Sequence, residues 1–148
     1  MTYWQKIIVL FWAIFSFTIF LKGFNESNKK ENAYGLTPFL FIFGIFVWGD
    51  ATVFGIFWFL ASITTLLLND WILFLLVFSV FWVVRSLGET IYWFNQQFSK
   101  VIQWPPEKLP FFKFFHNDSI WFVYQIVNQC ITVVSIIVSI YLTKLWLK

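Results

Sequence analysis

Charge is scarce in this sequence. Only 11% of its 148 residues are Asp, Glu, Lys or Arg, against 60% hydrophobic. A water-soluble domain of this length needs a charged coat around its core, and this chain cannot supply one. Lipid is therefore the expected solvent. Cysteine occurs once, at Cys130, which excludes an intrachain disulfide and any cysteine-based zinc site. Histidine also occurs once, at His116, and no HExxH, Ser-His-Asp spacing or glycine-rich phosphate loop is present. An enzyme reading thus has little behind it, and no cofactor is expected. The net charge of +3 comes from scattered lysines rather than from one basic, aromatic-interleaved surface. Nucleic acid is accordingly not an expected partner, whereas anionic lipid headgroups are.

What the chain does have is long apolar runs. A helix needs about 20 apolar residues to cross roughly 30 Å of hydrocarbon. On that measure the sequence reads as an all-α integral membrane protein, a single polytopic domain over residues 1–148. Its expected form is a four-transmembrane-helix bundle with spans at 4–22, 36–68, 71–97 and 119–147. The first run lacks a small-x-small cleavage pattern and carries bulky aromatics up to Phe20, so an uncleaved helix is expected rather than a signal peptide.

The connections differ in kind. KGFNESNKKENAYG, residues 22–35, has the composition of a solvated loop. Only Asn69 and Asp70 separate the second and third runs, which requires a tight antiparallel hairpin. SKVIQWPPEKLPFFKFFHND, residues 99–118, mixes prolines, aromatics and lysines, a composition suited to the membrane interface. Asp118 or Ser119 would then cap the last helix. The run 36–68 is too long for one ordinary span. Either it is long and tilted, with a kink or break near 49–50, or its first part is a separate short segment shielded by protein. Six lysines (22, 29, 30, 100, 108, 113) fall on the loop face and three (6, 144, 148) on the terminal face. The positive-inside rule then places loops 23–35 and 99–118 in the cytoplasm and both termini outside.

Against this background Arg85 and Glu89 stand out. With Tyr92 and Gln96 they fall at i, i+4, i+7 and i+11, one face of a helix. Counting from the hairpin turn puts Asp50 at a depth similar to Glu89, so an Asp50–Arg85–Glu89 cluster is expected. One base cannot neutralise two acids, and a surplus acid in a poorly solvated site is a proton carrier. The fourth helix carries a polar stripe, Gln125, Asn128, Gln129, Thr132, Ser135 and Ser139, continued by Thr143. Interhelical hydrogen-bond glue is the simplest account of such a stripe. A small-residue seam, Gly44, Ala51, Gly55, Ser62 and Asn69, marks the second helix. No metal site is expected; His116 would be a ligand only if its loop folded back over Asp50 and Glu89.

Two functions suit these features. One is a proton- or cation-coupled channel or transporter built on the charged cluster. The other is a non-catalytic membrane subunit or scaffold that stabilises a larger complex. The lipid bilayer and either a second copy of the chain or a larger membrane protein are the expected partners.

Overall fold

A computed structural model describes residues 1–37, 39–100, 104–109, 112, 114 and 119–148. It contains four long helices: α1 (Tyr3–Phe24), α2 (Trp48–Leu67), α3 (Trp71–Phe98) and α4 (Ser119–Trp146). All four are long and apolar enough to cross a membrane. The described residues contain no strand, only an isolated bridge between Leu36 and Val47. The chain divides into two compact units, Met1–Val77 and Phe78–Lys148.

In the first unit, Thr2 begins α1 through a capping box. Its hydroxyl accepts from the Gln5 amide at 3.4 Å, and its own amide donates to Gln5 Oε1 at 2.7 Å. The helix runs on past Phe24 as a π-helical turn, Asn25–Lys29, where the composition suggested open loop. An i,i+4 pair between Lys30 and Glu26 at 2.6 Å and a Ser27–Thr52 hydroxyl contact at 3.4 Å hold this extension in place.

α1 and α2 are antiparallel and unusually close. The buried residues of α1 are Val9, Ala13, Ser16, Ile19 and Gly23, and those of α2 are Trp48, Ala51, Gly55, Trp58, Ser62 and Thr65, both at spacings of three and four. Such a seam keeps one narrow face of each helix against the other. At Gly23 a Cβ would lie 2.7 Å from the Thr52 backbone nitrogen, and at Gly55 it would lie 2.6 Å from that of Phe20. The seam's partner is therefore α1. Aromatic side chains close over its flanks: Phe17 on Phe59 at 4.9 Å, and Trp12 edge-on to Trp58 at 5.8 Å.

Two residues assigned to this seam from the sequence lie outside α2. Gly44 (φ 73°) ends a short 3-10 turn, Leu40–Phe43, and Asn69 (φ 53°) sits in the turn to α3. Both take a left-handed conformation that helix cannot accommodate. The run 36–68 is accordingly not one helix. The described residues between 36 and 47 fold back on themselves, with the Thr37 amide donating to Phe46 O at 2.9 Å and its hydroxyl to Ile45 O at 2.6 Å. α2 begins only at Trp48.

The turn from α2 to α3 is short. Asp70 Oδ1 accepts from the Leu73 amide at 3.0 Å, capping α3, and the N-terminal ammonium donates to Asn69 O at 2.9 Å. Trp58 meets Phe74 edge-on at 6.4 Å across the hairpin.

In the second unit the residues after Val77 in α3 pack against α4, and a cluster of Trp93, Ile120 and Trp121 forms at one end with Trp104, Leu109 and Phe112 against it. Among the described residues of the connection between these helices, Pro106–Lys108 form a 3-10 turn. His116 and the cap candidate Asp118 lie outside the described residues, and Ser119 is the first residue of α4.

The close approach of α1 and α2 makes a testable claim. Gly55→Ala should lower stability by about 1–3 kcal/mol, because backbone rather than a flexible side-chain end must move. Gly88→Ala is the matched control. No described atom lies within 4 Å of its added Cβ, so the change should be neutral or stabilise by roughly 0.5–1 kcal/mol. Unfolding curves of the two variants in the same detergent compare them directly.

Candidate functional site

The charged residues of α3 are built on a single helix face. Arg85 Nη2 donates to Glu89 Oε1 at 2.8 Å, with only 14% and 11% of the two side chains exposed. One turn further on, Trp93 Nε1 donates to Glu89 Oε2 at 3.0 Å. Both carboxylate oxygens are thus engaged by residues four positions either side, the spacing at which helix side chains meet. Trp93 is fixed in turn by stacking on Tyr124 of α4 at 4.9 Å and edge-on contact with Tyr92 at 5.1 Å.

Gln96 and Gln97 continue this end of the helix. Gln96 Oε1 accepts from the Trp104 amide at 3.5 Å, and Trp104 O accepts from Trp121 Nε1 at 3.1 Å. Gln97 Nε2 donates to Gln125 Oε1 at 2.7 Å. The aromatic connection is in this way tied to both α3 and α4.

Below it runs a polar seam between the two helices. Ser86 and Thr132 share a hydroxyl bond at 2.8 Å, while Ser79 donates to Ser135 O at 2.9 Å and lies 2.7 Å from the Ser139 hydroxyl. Ser79, Ser86 and Trp93 recur every seven residues on α3, as Gln125, Thr132 and Ser139 do on α4. The two helices therefore stay in register along an antiparallel seam. Ser86 also back-bonds to Trp82 O, and Thr132 to Asn128 O at 2.9 Å, so each hydroxyl has a second partner.

Not every residue of the α4 stripe serves this seam. Asn128 is buried but donates to Tyr124 O of its own helix at 2.8 Å. Gln129 is exposed, and Thr143 is exposed and bonds Ser139 O. The stripe covers a wider arc than two helices in contact can bury.

Asp50 belongs to the first unit and Arg85, Glu89, Tyr92 and Gln96 to the second. In the first turn of α2 its Oδ2 accepts from the amides of Phe46 at 3.0 Å and Val47 at 3.4 Å. A carboxylate here satisfies amides that the helix leaves without partners and lies at the positive end of the helix dipole. This role was open to sequence reasoning, since an acid three residues into a helix is a capping signal. Hidden, however, was the start of α2 at Trp48. Sequence reasoning also missed Ser79, Ser86, Trp93 and Gln97, whose seven-residue spacing to one another or pairing with α4 was the available signal.

Among the described residues no group of three or more His, Cys, Asp or Glu side chains could hold a metal ion. Compared with known proteins, the chain matches no family model, no curated protein and no solved structure.

The pair's stability is open to test. Arg85→Leu leaves the Glu89 carboxylate buried without its cation and should cost about 3–5 kcal/mol, whereas Arg85→Leu with Glu89→Leu should recover most of that loss. Thermal unfolding of the two variants measures the difference. For the seam, a double-mutant cycle between Ser86→Ala and Thr132→Val should give a coupling of about 0.6 kcal/mol.

Proposed function

We propose that this chain is an integral membrane protein whose four helices cross the bilayer, and that it serves as a non-catalytic subunit stabilising a larger membrane complex. One observation carries this reading: the polar groups within the apolar helices are engaged, the ionised ones within their own segments and the hydroxyls between α3 and α4. Glu89 is held by Arg85 and Trp93, and Asp50 accepts two backbone amides. Serines and threonines of α3 and α4 bond one another. Helix packing is what those serines and threonines do chemically. Exposed Val127, Val134, Ile137 and Val138 leave α4 an apolar surface suited to lipid or to a partner's helix. In the proposed topology both termini are outside and loops 23–35 and 99–118 are cytoplasmic, with the aromatic connection at the interface.

A second reading, a proton- or cation-coupled channel or transporter using Asp50, Arg85, Glu89, Tyr92 and Gln96, is favoured by the Arg85–Glu89 pair lying inside a helix able to cross a membrane. Ionisable groups at such positions commonly belong to conduction paths. Proton uptake by Glu89 would break its bond to Arg85 or Trp93 and shift the balance between two packings of α3.

The two readings separate experimentally. Purified from its native membrane in mild detergent, the protein should carry a second membrane protein in fixed stoichiometry. A photoreactive maleimide attached to the exposed Cys130 should label that second protein. Recovery of the chain only with itself, together with pH-dependent flux in proteoliposomes that Glu89→Gln abolishes, would overturn the subunit reading in favour of transport.

A further inference from the structure

The first unit contains a groove of about 130 Å³ lined by Phe15, Thr18, Ile19, Lys22, Leu40 and Trp48. Its walls come from the last turns of α1, the folded-back segment and the first residue of α2. We propose that this groove binds an anionic phospholipid, one acyl chain lying along Phe15, Ile19 and Leu40 and the phosphate meeting Lys22. This rests on the chain spanning a membrane, but not on either of the two functions above.

The chemistry is divided along the groove as it is along a lipid. One part is hydrocarbon and aromatic, and its only hydroxyl, that of Thr18, donates to Ile14 O of its own helix at 2.9 Å. The other holds a single cation, Lys22, whose Nζ lies 5.1 Å from the centre of the Trp48 ring. Stacking over an aromatic face orients an ammonium without neutralising it. Among the described residues no carboxylate pairs with Lys22; Glu26, on the next turn, pairs with Lys30 at 2.6 Å. The positive charge is available to an incoming anion.

Position within the helices agrees with this assignment. Lys22 lies in the last turn of α1 and Trp48 at the start of antiparallel α2, so both stand at the same end of the helix pair. Lysine and tryptophan at a helix end belong at headgroup level. A zwitterionic lipid would bring a second cation beside Lys22, which is the reason for specifying an anionic headgroup. The folded-back segment keeps the groove's outer wall in place through the Thr37 bonds to Ile45 and Phe46.

The test uses the full chain in detergent, titrated with short-chain phosphatidylglycerol or phosphatidylcholine and read by native mass spectrometry. Phosphatidylglycerol should bind about fivefold more tightly, the effect of one lysine near an anionic surface. Lys22→Gln should erase that preference and Lys22→Glu reverse it. Thr18→Trp, at an exposed position, should fill the groove and weaken both lipids at least tenfold while leaving the melting temperature in place. Equal binding of the two lipids by the native chain, a preference surviving Lys22→Glu, or binding indifferent to Thr18→Trp would each overturn the proposal. Extraction of the native membrane at alkaline pH tests the underlying reading separately: release of the protein without detergent would remove the membrane itself from the argument.

Discussion

Close approach of helix backbones is the constraint on which the first unit depends. In the bilayer proposed for this chain, lipid tails are as apolar as leucine, so helices gain little from hiding one apolar side chain against another. What remains is contact at short range, through dispersion and hydrogen bonds. Gly23 and Gly55 make that contact possible by leaving no Cβ between α1 and α2. Large aromatics then close the flanks rather than the seam, as Phe17 on Phe59 and Trp12 on Trp58 do.

The second unit meets the same requirement by other means. Its seam uses hydroxyls and amides, Ser86 with Thr132, Ser79 with Ser139 and Gln97 with Gln125. Each bond specifies register in a way that smooth apolar surfaces cannot. Within α3, Arg85 and Trp93 hold the Glu89 carboxylate, which is buried with an acceptor bond on each oxygen. A carboxylate so held favours one geometry of its helix face. In the first unit, backbone amides just ahead of α2 serve the Asp50 carboxylate.

A lipid held by Lys22 and Trp48 would fit between these structural roles. It would fill the groove where α1, the folded-back segment and α2 leave a gap that no side chain occupies. Aromatic residues make up 25% of the chain, and many of them are exposed in the described structure. Such surfaces call for a covering, and lipid or another protein's helices are the coverings chemistry allows.

By itself the sequence determined that this chain forms long apolar helices, because residue hydropathy and run length are local quantities. It also determined the shared face of Arg85 and Glu89 and the Ala51, Gly55 and Ser62 part of the α2 seam, since helical periodicity follows from spacing alone, but not that Gly44 and Asn69 fall outside that helix. Tertiary structure decided what those faces meet. Gly23 and Phe20 became the partners of the α2 seam, and Ser79 and Ser86 became the partners of α4. It also decided that the described residues between 36 and 47 leave the helix. Hydropathy does not distinguish an apolar helix from an apolar segment folded back through left-handed turns at Phe39 and Gly44. Contacts between residues distant in sequence depend on which surfaces approach, and that information resides in pairs of segments rather than in either one.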